Sequence, residues 1–331
     1  MRTSIRGTKV LAVVAVIACF YPAKAAMDLA ALSRDMHVSN QFISPVDQKN
    51  LYFWIRIPSQ WDADNRLPLL VIMHGTTCRN GQGEWDYIER SKELYGSDPH
   101  IIIEPQCPGH FEECCWTSKA YNTGSQTIDI DNPPIGIRLV NELVEAVLSE
   151  LNLNDQRVYI MGGSNGGYAA WFMLITRPQI YTGALIFCGA GDPTKANRVT
   201  EHWVWNWHCS DDGIVPVSGS DEMVAAIEAA GGTRVKYNRE TGCGHSAWEP
   251  AFAEPTLWTW MFSKTTDAVS TGSPRAARAP RVVNMQTAGF TLRGQRMSAA
   301  AVSGRPGHTC GSICIYKENG KVLRRIISNG K

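Results

Sequence analysis

Apolar residues fall into short continuous runs divided by polar, glycine- or proline-rich stretches, and these runs alternate with segments of helical spacing. Leu51 to Ile57 (LYFWIRI) is rich in aromatic and β-branched residues and reads as a strand. A polar turn (QWDADNR) leads into Pro68 to Met73, an unbroken apolar run closed by His74-Gly75. Such a run, bounded by turn signals, fits a strand buried on both faces, as in a parallel sheet. Ile101 to Ile103 repeats the pattern. Pro133 and Pro134 open a helix on which Val140, Leu143, Val144, Val147, Leu148 and Leu151 keep helical spacing. Strands over Arg157–Met161, Ala184–Phe187, Trp203–Trp207 and Arg234–Tyr237 then alternate with helices over Tyr168–Ile175 and Met223–Ala230, the second stopped by Gly231-Gly232. This alternation predicts an α/β fold, a mostly parallel sheet covered by helices on both faces.

Both ends depart from that pattern. Arg2, Arg6 and Lys9, the apolar stretch 10–20 and the small-x-small site Ala23-Lys24-Ala25 form an export signal, with cleavage expected after Ala25. The apolar stretch is shorter than the ~20 residues of a membrane-spanning helix. Lipidation at Cys19, the rival reading, rests on a looser match. From Thr265 to Pro280 the chain turns to Ser, Thr, Gly, Ala, Pro and Arg, a linker composition. Beyond it, Ile313–Tyr316 and Val322–Ile327 flank Asn319-Gly320, a β-hairpin signature, because Asn-Gly supplies the positive φ angles of a type I′ turn.

Charge separates the same units. Residues 264–331 carry twelve Lys/Arg against two Asp/Glu, whereas residues 26–263 carry sixteen against twenty-nine. The net charge of the whole chain, +1, gives no argument for a nucleic-acid partner, and none is expected. The expected organisation is a signal over 1–25, an α/β body over 26–263, a linker over 264–280 and a small basic β-rich tail over 281–331. Ten cysteines suit an oxidising compartment. Cys107, His110, Cys114 and Cys115 lack a matching second ligand pair, so they are read as disulfide chemistry, and no metal or other cofactor is expected.

Gly162-Gly163-Ser164-Asn165-Gly166 matches G-x-S-x-G between a strand and a helix. A turn sharp enough to lift a serine hydroxyl clear of a sheet admits only small residues, so the placement gives the motif its meaning. A serine needs a base, and the base a carboxylate to orient it. On such a turn the partners follow in the order acid, then histidine. His37, His74, His100 and His110 precede Ser164, and His202 and His208 lie before or within the strand leading to the acid. His308 falls in the tail. His245, in the glycine-rich Gly242-Cys-Gly-His-Ser-Ala-Trp248, is the candidate base. Asp211 and Asp212 compete as the acid. The N–H of Asn165 is one candidate oxyanion donor, and Thr76, in the loop after the first buried strand, is the second. Trp116 and Trp248 are candidates for the wall of a substrate pocket. Trp203, Trp205 and Trp207 share one strand face and read as core.

From Gly162 through Trp260 the chain resembles the esterase family that groups phospholipase/carboxylesterases, polyhydroxyalkanoate-depolymerase-like esterases and predicted secreted peptidases, on the α/β-hydrolase fold. The family's H-G-x-x-D-x-x-V-P element falls on His208, Asp212, Val215 and Pro216, with Cys209 in place of the glycine. The resemblance implies that Asp212, not Asp211, is the acid. The family's G-H-x-x-W element falls on Gly244, His245 and Trp248, its strand-ending H-G on His74 and Gly75, and its P-Q-C-P on Pro105 to Pro108. Cys209 lies three residues before Asp212 and Cys243 two before His245, so a working triad sets the two loops side by side. A Cys209–Cys243 disulfide is therefore expected, with Cys188 and Cys78 as competing partners.

The function implied is hydrolysis of a carboxylic ester outside the cytoplasm through an acyl-enzyme, on feruloyl or acetyl esters of plant-wall polysaccharide or on polyester. The partner is thus a small-molecule or polymer-linked ester. A serine peptidase on the same triad and a non-catalytic surface-binding protein are the rivals. The tail, Gly289 to Arg296 followed by Ile313 to Val322, resembles the C-terminal sorting domains of bacterial outer-membrane secretion systems, which implies an export machinery as partner.

Overall fold

The computed structural model describes residues 29–76, 98–107, 116–117 and 125–266, with the backbone of three further strand segments at 285–286, 313–318 and 321–326. The export signal, Cys78, His110, Cys114 and Cys115 lie outside the described residues.

A nine-stranded sheet organises the chain. Its strands are β1 (His37–Ile43), β2 (Asn50–Arg56), β3 (Leu69–Met73), β4 (Ile101–Gln106), β5 (Val158–Gly163), β6 (Gly183–Phe187), β7 (Trp203–Cys209), β8 (Val235–Glu240) and β9 (Met285–Gln286), in the order β8-β7-β6-β5-β3-β4-β2-β1-β9. The six strands from β4 across to β8 pair in parallel, while β2 meets β4, and β1 meets β2 and β9, antiparallel. Helices α1 (Ile135–Glu150), α2 (Asn165–Thr176), α3 (Ser218–Ala229), α4 (Trp248–Ala253) and α5 (Leu257–Phe262) flank it.

The unbroken apolar runs follow from burial on both faces. Leu69, Val71 and Met73 of β3, with Val158 and Ile160 of β5 and Ile186 of β6, pack in one cluster with α1, α2 and α3. The alternate residues Leu70, Ile72, Tyr159, Met161, Leu185 and Phe187 pack in a second cluster with α4 and α5. A period of two thus divides each strand between two cores. Trp205 and Trp207 belong to the second cluster, and Trp203 is half-buried.

Three features differ from the sequence expectation. Strand β1 carries buried Asn40 and Gln41, polar residues that interrupt the apolar pattern and hide the strand. Body hydrogen bonding continues past residue 263: Tyr159 Oη donates to Lys264 O (2.5 Å), Trp203 Nε1 to Thr265 O (3.2 Å) and the Thr266 N–H to Gln156 O (3.0 Å). The tail also contributes β9, which pairs with Gln41 and Phe42 at the edge of the main sheet. Strands β10 (Ile313–Glu318) and β11 (Lys321–Ile326) pair antiparallel.

Candidate active site

The candidate residues lie beyond the carboxyl ends of neighbouring strands, the place where open α/β sheets bind ligands. Ser164 follows β5 directly, with φ 55° and ψ −122°. A positive φ on a residue other than glycine costs on the order of 1–3 kcal/mol and needs surroundings that enforce it. Here the Ser164 N–H donates to Phe187 O (2.9 Å), and Ser164 O accepts from the Tyr168 N–H (3.1 Å) in the first turn of α2. The flanking glycines are steric requirements. A methyl group on Gly162 would run into the Gly166 carbonyl, and one on Gly166 into the Met73 carbonyl of β3.

His245 reaches Ser164 from the loop after β8. Its Nε2 lies 2.9 Å from Ser164 Oγ and its Nδ1 2.8 Å from Asp212 Oδ2. Against a carboxylate Nδ1 must carry the proton, which leaves Nε2 as the acceptor facing the serine. Asp212 has a side chain with no exposed surface. Its Oδ1 accepts from the N–H groups of Ile214 (2.8 Å) and Val215 (2.9 Å). Burial pushes this carboxyl up. Hydrogen bonds from His208, His245 and the Val215 and Ile214 N–H groups outweigh burial and hold it well below the usual carboxylate range. On α2, Tyr168 is raised to about 12, first by burial and then by the charge of Asp212, so its phenol stays protonated.

Asp211, the other acid, serves the loop instead of the imidazole. Its Oδ1 accepts from the Gly242 N–H (2.9 Å) and its Oδ2 from the Gly244 N–H (3.2 Å), on either side of Cys243. Cys243 is joined to Cys209 in a disulfide with a Cα–Cα distance of 5.8 Å. The histidine loop is therefore held to the end of β7 by one covalent and two polar ties.

His208 is fully buried behind the acid. Its Nε2 lies 3.0 Å from Val215 O and 3.3 Å from Asp212 Oδ2, and its Nδ1 2.8 Å from Ser220 Oγ, whose hydroxyl donates to Gly189 O (3.1 Å). The H-x-x-x-D spacing places this histidine beside the acid. Its position within a strand excludes it as a base and does not point to that role.

Thr76 is half-buried, three residues past β3. His74 ties that loop to β4: Nδ1–H donates to Gly75 O (2.7 Å), and Nε2 accepts from the Cys107 N–H (2.9 Å). Asn165 opens α2, where a first-turn N–H has no carbonyl of its own helix to bond. Trp248 is half-buried, its ring edge-on to His245 at 5.9 Å. Trp116 is placed differently from a pocket wall. It has no exposed surface, its indole N–H donates to His74 O (2.9 Å), and its backbone N–H donates to Asn165 Oδ1 (2.8 Å). These bonds make it a brace between the Thr76 loop and the start of α2. Among the described residues no helix is long and apolar enough to cross a membrane.

Strand order, nucleophile turn and the Ser164–His245–Asp212 relay define the α/β-hydrolase fold. Within that class, a model of the prolyl oligopeptidase family matches residues 140–211. Acetylxylan esterase A of Talaromyces purpureogenus is 24% identical over 123 residues, covering 37% of this chain and 30% of that protein. Acetylxylan esterase A of Emericella nidulans is 21% identical over 213 residues, 64% of this chain and 66% of that protein. The chain thus spans about a third to two thirds of the length of these relatives. A solved thermostable esterase superposes with a TM-score of 0.61 at 23% identity, over 69% of this chain and 63% of its own. A ferulic acid esterase gives 0.52 at 13% identity, over 70% of this chain and 100% of its own.

Proposed function

We propose that the protein is a secreted serine esterase that removes acyl groups, acetyl or feruloyl, from plant-wall polysaccharide. The observation that carries the reading is the unbroken relay from Ser164 Oγ through His245 to a buried, ionised Asp212. The acetylxylan esterase relatives and the ferulic acid esterase likeness support the substrate class.

In this mechanism Ser164 Oγ attacks the ester carbonyl while His245 Nε2 takes its proton. Asp212 holds the ring and stabilises the imidazolium. The N–H groups of Asn165 and Thr76 bind the developing oxyanion, a contribution of roughly 3–4 kcal/mol for such a donor. Nε2 then protonates the departing sugar hydroxyl. Water, activated by the same nitrogen, releases the acid from the acyl-enzyme. Trp248, beside His245, lines the acyl pocket. The Cys209–Cys243 disulfide suits an oxidising compartment, in line with an export signal over 1–25 and a tail read by an export machinery.

A fluorophosphonate probe tests the nucleophile: the wild type labels and Ser164→Ala does not. A panel of p-nitrophenyl acetate, methyl ferulate, acetylated xylan and polyester tests the substrate. Absence of labelling in the intact protein would leave a hydrolase fold used only for binding. The match to the prolyl oligopeptidase family favours a second reading, amide cleavage on the same triad. Faster turnover of peptide amides than of the esters would select it.

A further inference from the structure

A third side chain stands beside the acid and the histidine. Cys188 follows β6 directly, and its N–H donates to Trp207 O (2.8 Å) on β7. It is fully buried and lies outside the Cys209–Cys243 bridge. Its φ is 39°, in the left-handed region where glycine fits without strain. One donor atom from each of Cys188, Asp212 and His245 lies within 4.8 Å of the other two. A sulfur, an oxygen and an imidazole nitrogen thus converge from the ends of β6, β7 and β8.

We propose that Cys188, Asp212 and His245 form an inhibitory site for a thiophilic divalent cation, with Zn²⁺ as the reference ion. Thiolate, imidazole and carboxylate are the ligand types that zinc takes, and tetrahedral bonds of ~2.0–2.3 Å set ligands roughly 3.3–3.6 Å apart. A shift on the order of 1 Å therefore closes the set. The chemistry is ligand exchange without oxidation. The Cys188 thiol gives its proton to solvent as the sulfur binds. His245 binds through Nδ1, and the proton that Nδ1 held against Asp212 moves to Nε2, so one proton is released per ion. An Nε2–H then faces Ser164 Oγ, and nothing remains to take the serine's proton. Metal binding stands on the geometry alone; inhibition rests on the proposed role of His245.

The test uses the full-length oxidised protein, stripped of metal and then titrated. Co²⁺ is the spectroscopic probe, read by its thiolate charge-transfer absorption. Zn²⁺ is the inhibitor, read by p-nitrophenyl acetate hydrolysis. The expected result is a Co²⁺ band that loses one equivalent in Cys188→Ser and in His245→Ala and persists in Ser164→Ala. Saturating Zn²⁺ should slow hydrolysis at least tenfold, with recovery on adding a chelator. Cys188→Ser should keep its metal-free rate within about twofold and need at least tenfold more Zn²⁺. Cys188→Gly, which relieves the positive φ, is the second variant where serine impairs folding. Equal Co²⁺ signals and equal Zn²⁺ sensitivity in wild type and both Cys188 variants overturn the site. A Cys188-dependent band without slowed hydrolysis overturns its inhibitory role. If no ester is turned over at all, the proposed function fails, while the Co²⁺ measurement still decides the site.

Discussion

Asp212→Asn removes one charge and leaves the shape of the side chain unchanged. The carboxylate takes four hydrogen bonds: from the Ile214 and Val215 N–H groups on Oδ1, and from His245 Nδ1 and His208 Nε2 on Oδ2. An asparagine can keep the first pair only by turning its amide nitrogen toward the two histidines. His245 Nδ1 must then accept, and its proton moves to Nε2, where it faces Ser164 Oγ at 2.9 Å. The base is then in the wrong tautomer, which in comparable triads costs about four decades in kcat, or about 5.5 kcal/mol. Asp211→Asn is the control. It keeps one oxygen for Gly242 or Gly244 and leaves the Cys209–Cys243 tie intact. The loss is of the order of one exposed hydrogen bond, ~0.5–1.5 kcal/mol, so kcat should fall no more than about tenfold. Steady-state kinetics on p-nitrophenyl acetate, with circular dichroism to verify the fold, compares the two. A folded Asp212→Asn that retains more than about 1% of wild-type kcat, or an Asp211→Asn whose kcat falls to within a factor of ten of the Asp212→Asn value, refutes the assignment of the acid.

Three further outcomes are expected. Replacing Cys209 and Cys243 by serine opens a link of sequence separation 34, for which chain entropy predicts a loss of roughly 4 kcal/mol; a denaturant midpoint that does not move contradicts it. Burial holds the His100 ring neutral, its pKa lowered to about 4. Above its ordinary value of ~6.5 neither state binds the proton. As pH falls through the window from there to about 4, the unfolded chain binds a proton that the folded one refuses. Stability should drop by roughly 3 kcal/mol across that window, and His100→Gln should flatten the slope in denaturant titrations at pH 7 and 5. Truncation after Thr266, which keeps the bond to Gln156 and removes the tail with β9, should leave a folded, active body. An inactive or unfolded product would make the tail part of the core.

Alternation of strands and helices was legible because burial on both faces leaves its mark on every residue of a run, as in Leu69 to Met73. Strand β1 was not, because its buried Asn40 and Gln41 break that mark. The short helices Trp248–Ala253 and Leu257–Phe262 carry too few turns to show a period. Ser164 could be named from its glycines, whose need is steric and local, and His245 from its place in the chain. Between Asp211 and Asp212 residue type decides nothing, since both are carboxylates on one turn, and the choice of Asp212 comes from the family resemblance through His208, Val215 and Pro216. Only the tertiary structure turns one toward the imidazole and the other toward the N–H groups of Gly242 and Gly244. Likewise it sends Trp116 beneath His74 instead of to a pocket wall, and brings Cys188 within reach of Asp212 and His245. Composition and period record whether a side chain is buried. Which partner it meets there depends on strand order and loop closure, and these are set by contacts between residues distant in the chain.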